Sequence, residues 1–126
     1  MMYIVGLDAK GVMWNPITLG PDRTALDARN TMLKYGISRV VIAKDRKPLG
    51  IVTEKDVARF LYEHIPPRQL DEIRLDTVMS KGLVTVGEET DLRKCAKLML
   101  ENGISSLVVV GDKKDLKGIF TKTDLT

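Results

Sequence analysis

The chain has 126 residues and a mass of 14.1 kDa, enough for one compact module with a real core. Hydrophobic residues at 44% and charged residues at 29% exclude a disordered chain. The net charge of +3 is too small and too scattered to mark a nucleic-acid binder, although a pI near 9.0 tolerates an anionic ligand.

A single cysteine, Cys95, excludes an internal disulfide and a multi-cysteine zinc site, and a single histidine, His64, excludes a His-pair metal site. No apolar run approaches the ~20 residues of a membrane span, and the start MMYIVGLDAKG lacks a basic leader. The expected address is cytoplasmic, with no membrane partner.

In chain order, a lead-in VMWNPITL opens at Val12. Ala25, Ala28, Met32 and Leu33 follow at helical spacing, and Gly36 ends that helix where a positive φ is cheap. Val40-Val41-Ile42-Ala43 reads as a buried strand, Lys44 to Pro48 as a polar turn, and Gly50-Ile51-Val52-Thr53 as a second strand. A helix then runs to about Ile65, where Pro66-Pro67 stops it.

Residues 66–77 read as a connector, and a second lead-in, VMSKGLVTV, opens at Val78. Leu92, Cys95, Ala96, Met99 and Leu100 form the next apolar stripe, ended by Gly103. Strands over Leu107 to Val110 and Gly118 to Thr121 flank the turn Gly111 to Asp115. Nothing like the first closing helix follows Asp124, so either the second copy lacks that helix or the chain is a piece of a longer one.

The chain therefore contains itself twice. Gly36-Ile37-Ser38 recurs as Gly103-Ile104-Ser105 at an offset of 67, which also aligns Thr18 with Thr85, Gly20 with Gly87, Met32-Leu33 with Met99-Leu100, Val41 with Val108 and Asp45 with Asp112. After a one-residue insertion, Gly50-Ile51, Thr53 and Asp56 match Gly118-Ile119, Thr121 and Asp124. The reading is one module of two repeats: 12–65 with a closing helix, a connector over 66–77, and 78–126.

The lead-ins VMWNPITL and VMSKGLVTV, the helix ends MLKYGISRVVIAKD and MLENGISSLVVVGD, and the closers PLGIVTEKDV and LKGIFTKTDL together resemble a tandem pair of cystathionine-β-synthase-like (CBS) domains. Val41 and Val108 stand where that family often has proline. The resemblance implies an α/β (α+β) fold of two β-α-β-β-α repeats about a pseudo-twofold axis, with a cleft on either side. It implies a regulatory module, not an enzyme, that needs no cofactor and binds AMP, ADP or ATP as its ligand. The alternatives are S-adenosylmethionine binding or a ligand-free dimerisation scaffold. The expected partners are an adenine nucleotide, a second copy in a flat homodimer and a regulated protein of unknown identity, with nucleic acid disfavoured. Phe60, Leu61 and Trp14 are the surface expected to be buried in the homodimer.

In the repeated Thr-x-x-Asp closer, a short carboxylate can accept both vicinal ribose hydroxyls, which singles out Asp56 and Asp124. Thr53 and Thr121 end a strand where a helix begins, so their hydroxyls and nearby N–H groups suit a phosphate, with Lys55 adding charge. The adenine would lie against Pro16-Ile17 or Leu83-Val84, over Ile37 or Ile104. The resemblance groups Arg39 with Asp124, Thr121 and Ile17, and Ser106 with Asp56, Thr53 and Val84. Arg39 would favour phosphate at the Asp124 cleft, unless it simply points to solvent. Thr18, Ser38, Val41, Ile51, Ser105, Val108 and Ile119 complete the candidate set. The same tetrapeptide is also a helix-capping box, and the two roles are compatible.

Elsewhere the bland reading is preferred. Cys95 is a packed thiol, and Met32 and Met99 are core. His64 is a solvated cap, Lys113-Lys114 is a turn pair, and Arg59, Arg68 and Arg74 are solvated, with a smaller chance that one reaches a phosphate.

Overall fold

The computed structural model describes residues 7–63 and 69–125, so His64, Ile65, Pro66, Pro67 and Arg68 lie outside it. The chain divides into two compact units, one formed by Ile17–Leu83 and the other by the segment before Ile17 together with that from Val84 onward.

The Ile17–Leu83 unit contains β1 (Thr18–Leu19), α1 (Ala25–Tyr35), β2 (Arg39–Lys44), β3 (Lys47–Thr53), α2 (Glu54–Glu63) and a short α3 (Leu75–Val78). Its sheet has the order β1-β2-β3, with β1 parallel and β3 antiparallel to β2. Thr24 and Asp27 form a capping box at the start of α1, satisfying end groups that no helix can bond internally. Gly36, at φ 63°, ends the helix as expected.

The other unit contains a short α4 (Ala9–Val12), the counterpart of α3, then β4 (Thr85–Gly87), α5 (Leu92–Asn102), β5 (Ser106–Val110) and β6 (Leu116–Thr121). A 3-10 turn, Lys122–Leu125, follows β6. The sheet repeats the first topology as β4-β5-β6. Gly103, at φ 61°, ends α5 as Gly36 ends α1.

Each unit is built from both repeats. The opening helix of the first repeat buries Ala9 in a core with Val86, Cys95, Met99, Leu107, Val109 and Phe120. The opening helix of the second repeat buries Leu75 among Ala28, Met32, Val40, Ile42 and Val52. The expected connector is thus more than a tether, since both Ile73 and Leu75 are buried. Backbone bonds fix the exchange: Ala9 N–H donates to the Thr90 carbonyl at 2.9 Å, and Leu75 N–H to that of Arg23 at 2.8 Å.

Immediately after each opening helix the lead-in becomes an extra strand residue. Trp14 bridges Ile119, and Ser80 bridges Ile51, both antiparallel. A methionine precedes each bridge and lies over a glycine. A Cβ on Gly118 would stand 2.7 Å from the Met13 sulfur, and one on Gly50 would stand 2.8 Å from both the Met79 sulfur and the Ser80 carbonyl oxygen. The repeated Gly-Ile of the closers is therefore a packing requirement.

One expectation needs correction. Leu33 and Leu100 belong to the apolar stripes in sequence, yet they are 66% and 79% exposed while Met32 and Met99 are buried. Adjacent helical residues differ by about 100° in direction, so a helix that turns its methionine onto the sheet carries the next leucine away.

Candidate functional site

The two closers sit where the third strand of each sheet ends. In the Ile17–Leu83 unit, Asp56 Oδ2 accepts from the Thr53 N–H at 2.9 Å, and Thr53 Oγ1 accepts from the Asp56 N–H at 3.1 Å. This is a complete capping box for α2. The neighbouring strand contributes Arg39, in register with Thr53, and the Ser38 carbonyl, which accepts from the Glu54 N–H at 3.1 Å. Arg39 is half-buried and Lys55 exposed. On the same sheet, Thr18, Val41 and Ile51 stand in register across the three strands, and the Ile17 carbonyl accepts from Val41 N–H at 3.2 Å.

The other unit reproduces this frame. Ser106 stands in register with Thr121, the Lys122 N–H donates to the Ser105 carbonyl at 3.0 Å, and Val108 lies between Thr85 and Ile119. Its hydrogen bonds differ, however. Asp124 Oδ2 receives the Thr121 N–H at 2.7 Å, the Thr121 hydroxyl at 3.2 Å and the Trp14 indole N–H at 3.1 Å. The Thr121 hydroxyl also meets that of Thr123 at 2.8 Å. These donors hold the Asp124 carboxyl below the ordinary carboxylate range, the Thr121 N–H most of all, with partial desolvation working against them.

The structure changes how several candidates can act. The N–H groups of Thr53, Glu54, Asp56, Thr121 and Lys122 are committed to protein acceptors, so the nearby donors expected for a phosphate are largely in use. A phosphate would depend on side chains instead. Val41, Val108 and Ile119 are buried and present no surface to a ligand in this structure. Ile37, Ile104 and Val84 are half-buried and pack against the two cores. Pro16 belongs to the unit of Asp124, Leu83 to that of Asp56.

Other residues settle into structural roles. Arg74 forks onto Asp76, with Nη2 to Oδ2 at 2.9 Å. Arg59 is exposed. Cys95 is buried, and its thiol is pushed up first by desolvation and then by Asp91. Among the described residues no group of His, Cys, Asp and Glu could hold a metal ion, and no helix is long and apolar enough to cross a membrane. A groove of the Asp124 unit, about 930 Å³, lies at the opposite end of its sheet, between the Thr85–Thr90 loop and the Val110–Lys117 turn, and includes none of the candidates.

Trp14 is the site residue that sequence reasoning assigned elsewhere, to a dimer surface. The available signal was its place in the repeat: it aligns with Ser80, so the lead-ins differ where they meet the closers.

The chain is 35% identical over 111 residues to the uncharacterized protein MK0525 of Methanopyrus kandleri, matching 86% of this chain and 55% of that protein. It is also 35% identical over 120 residues to the inosine-5'-monophosphate dehydrogenase of Bacillus subtilis, matching 92% of this chain but 23% of that enzyme. The chain thus spans about half or less of these relatives' length.

Among solved structures, the CBS domain pair of protein MJ0100, in complex with 5'-methylthioadenosine and S-adenosyl-L-methionine, superposes with a TM-score of 0.81 at 24% identity, covering 94% of this chain and 91% of that one. The CBS domain protein PAE2072 of Pyrobaculum aerophilum, complexed with AMP, gives 0.82 at 19% identity, covering 94% and 89%. The CBS domain model itself matches twice, over residues 9–63 and 73–126. With two sheets of one topology, two Thr-x-x-Asp closers and two matches that span most of its length, the chain belongs to the CBS domain family as a tandem pair.

Proposed function

We propose that this tandem pair is a regulatory module, without catalysis of its own, that binds an adenosine nucleotide (AMP, ADP or ATP). One observation carries the reading: both closers hold a carboxylate at a strand end through Oδ2, and among the described residues Oδ1 of Asp56 and of Asp124 has no partner. A carboxylate oxygen without a partner, beside the strand start at Ser38-Arg39 or Ser105-Ser106, is suited to a sugar hydroxyl. The AMP complex of PAE2072, a protein of the same fold, supports an adenosine ligand. The complex of MJ0100 supports the alternative, S-adenosylmethionine, which shares the same adenosine.

In this reading Asp56 and Asp124 take ribose hydroxyls. The Thr53 hydroxyl, Lys55 and Arg39 serve the phosphate, and Pro16, Ile17, Leu83 and Val84 line the base. A thermal-shift panel of AMP, ADP, ATP, S-adenosylmethionine and GTP tests it. Ligand at 100 times its dissociation constant stabilises by about 2.7 kcal/mol, and GTP gives no shift. Asp56→Ala with Asp124→Ala abolishes the response while the protein stays folded. An unchanged affinity in that double variant removes the ribose assignment.

We further propose that the module pairs with a second copy through its helices. Leu33 and Leu100 are exposed at equivalent positions of α1 and α5, and a groove of about 310 Å³ beside Leu33 is lined by Met32, Val57, Ala58 and Leu61. Exposed apolar groups at repeated positions of helices fit a symmetric interface. Light scattering gives twice the chain mass, and Leu33→Lys with Leu100→Lys returns it to about 14.1 kDa. A chain already monomeric at high micromolar concentration overturns the pairing.

A further inference from the structure

We infer that Trp14 sets the ribose specificity of the Asp124 site, so that the two closers read the sugar differently; this rests on the adenosine reading above. A carboxylate oxygen offers about two lone pairs. Asp124 Oδ2 already meets three donors, the N–H and hydroxyl of Thr121 and the indole of Trp14. That oxygen is saturated, and Oδ1 alone remains for a ligand.

Asp56 is placed differently. Its Oδ2 accepts one bond, from the Thr53 N–H. Ser80 occupies the position of Trp14, with the same antiparallel bridge to the third strand, and among the described residues its side chain makes no bond to Asp56. Both oxygens of Asp56 therefore keep capacity for a donor, and both vicinal hydroxyls can be gripped. The Thr53 hydroxyl oxygen accepts from the Asp56 N–H, which leaves its proton to give, whereas the Thr121 hydroxyl is engaged with Asp124 and Thr123.

The indole does more than remove capacity. It is an added donor on the carboxylate, aimed from a backbone that is itself pinned by two bonds of 3.0 Å between Trp14 and Ile119. The carboxylate plane is thereby fixed before any ligand arrives, with Oδ1 presented in one direction. Oδ1 has lone pairs for two donors, but an oxygen held in one place lies in line with only one of two vicinal hydroxyl protons. The site therefore grips one hydroxyl strongly and its neighbour weakly.

The experiment uses calorimetry with AMP, 2'-deoxy-AMP and 3'-deoxy-AMP on single-site proteins. In the Asp56→Ala protein, which keeps the Asp124 site, one deoxy analogue loses about tenfold or more and the other stays within about threefold, as expected for a single charged hydrogen bond. In the Asp124→Ala protein both analogues lose about tenfold or more. Trp14→Phe in the Asp56→Ala background, which keeps an aromatic ring and the backbone bridge, makes the Asp124 site sensitive to both analogues. Trp14 is the only tryptophan of the chain, so its emission in the Asp56→Ala protein also shifts on titration with AMP, a readout that needs no substitution at Trp14. Loss of both analogues at the Asp124 site, or a pattern unchanged by Trp14→Phe, overturns the inference while leaving the adenosine reading intact. Failure of the unsubstituted protein to bind AMP, ADP and ATP in the same calorimeter overturns the reading itself, and the inference with it.

Discussion

The same tetrapeptide ends the third strand of both sheets, and the two copies end differently. Thr53–Asp56 caps α2, a helix of 10 residues, and the bonds of the Thr53 and Asp56 side chains stay within the tetrapeptide. Thr121–Asp124 closes a 3-10 turn of 4 residues, and its carboxylate reaches back to a tryptophan 110 positions earlier in the chain. The backbone device is common to both: strand end, N–H to carboxylate, neighbouring strand in register. What differs is the side chain that the opposite lead-in delivers, Trp14 in one unit and Ser80 in the other. Duplication has kept the frame and let the contacts on the carboxylate diverge.

The largest effect expected on stability comes from the glycines that let the lead-ins approach. At Gly50 a new Cβ meets the Ser80 backbone oxygen at 2.8 Å as well as the Met79 side chain. Backbone cannot turn aside, so Gly50→Ala destabilises by about 2–3 kcal/mol, the upper range for overpacking. At Gly118 a new Cβ meets the Met13 sulfur at 2.7 Å and also the Met13 Cβ at 2.9 Å. The sulfur can turn aside, but the Cβ is fixed by the backbone, so the lead-in itself must shift. Gly118→Ala therefore also destabilises, by about 1–3 kcal/mol. Urea denaturation of the two variants side by side decides it. A variant as stable as the unsubstituted protein at either glycine shows that its lead-in is not held as the geometry requires.

Much of this frame was legible in the sequence because it depends on residues with few substitutes. Gly36 and Gly103 adopt φ values of 63° and 61°, where other residues are strained, and the β-branched runs became the buried strands β2 and β5. The Thr-x-x-Asp closers were legible for the same reason, since capping and ligand chemistry both require that spacing.

The exchange of opening helices was not legible. Ala9 and Leu75 occupy equivalent core positions, yet their helices read Ala-Lys-Gly-Val and Leu-Asp-Thr-Val, sharing only the final valine. A four-residue helix carries too little periodicity to show which core it enters. The outward turn of Leu33 and Leu100 was hidden for a different reason. Periodicity places a residue on a stripe, but the width of stripe that a three-stranded sheet can cover is a tertiary fact.

The smallest effect tests the Asp124 contacts without any ligand. Its folded-state pKa lies below the ordinary carboxylate value, chiefly through the Thr121 N–H, with the Trp14 indole and Thr121 hydroxyl adding to it. A group whose pKa falls on folding binds fewer protons folded than unfolded. Its contribution to stability is therefore present above about pH 4, the unfolded carboxylate range, and is lost as the pH falls through the folded value. The carboxylate is exposed, so solvent screening keeps that contribution small. An NMR titration of the Asp124 carboxyl carbon gives a midpoint below 3.8, the value for an unperturbed aspartate. In Trp14→Phe the midpoint rises only part of the way back, because the larger cause, the backbone N–H, is untouched. A full return would make the indole, and not the strand end, the main holder of the carboxylate, whereas no movement at all would remove Trp14 from the site.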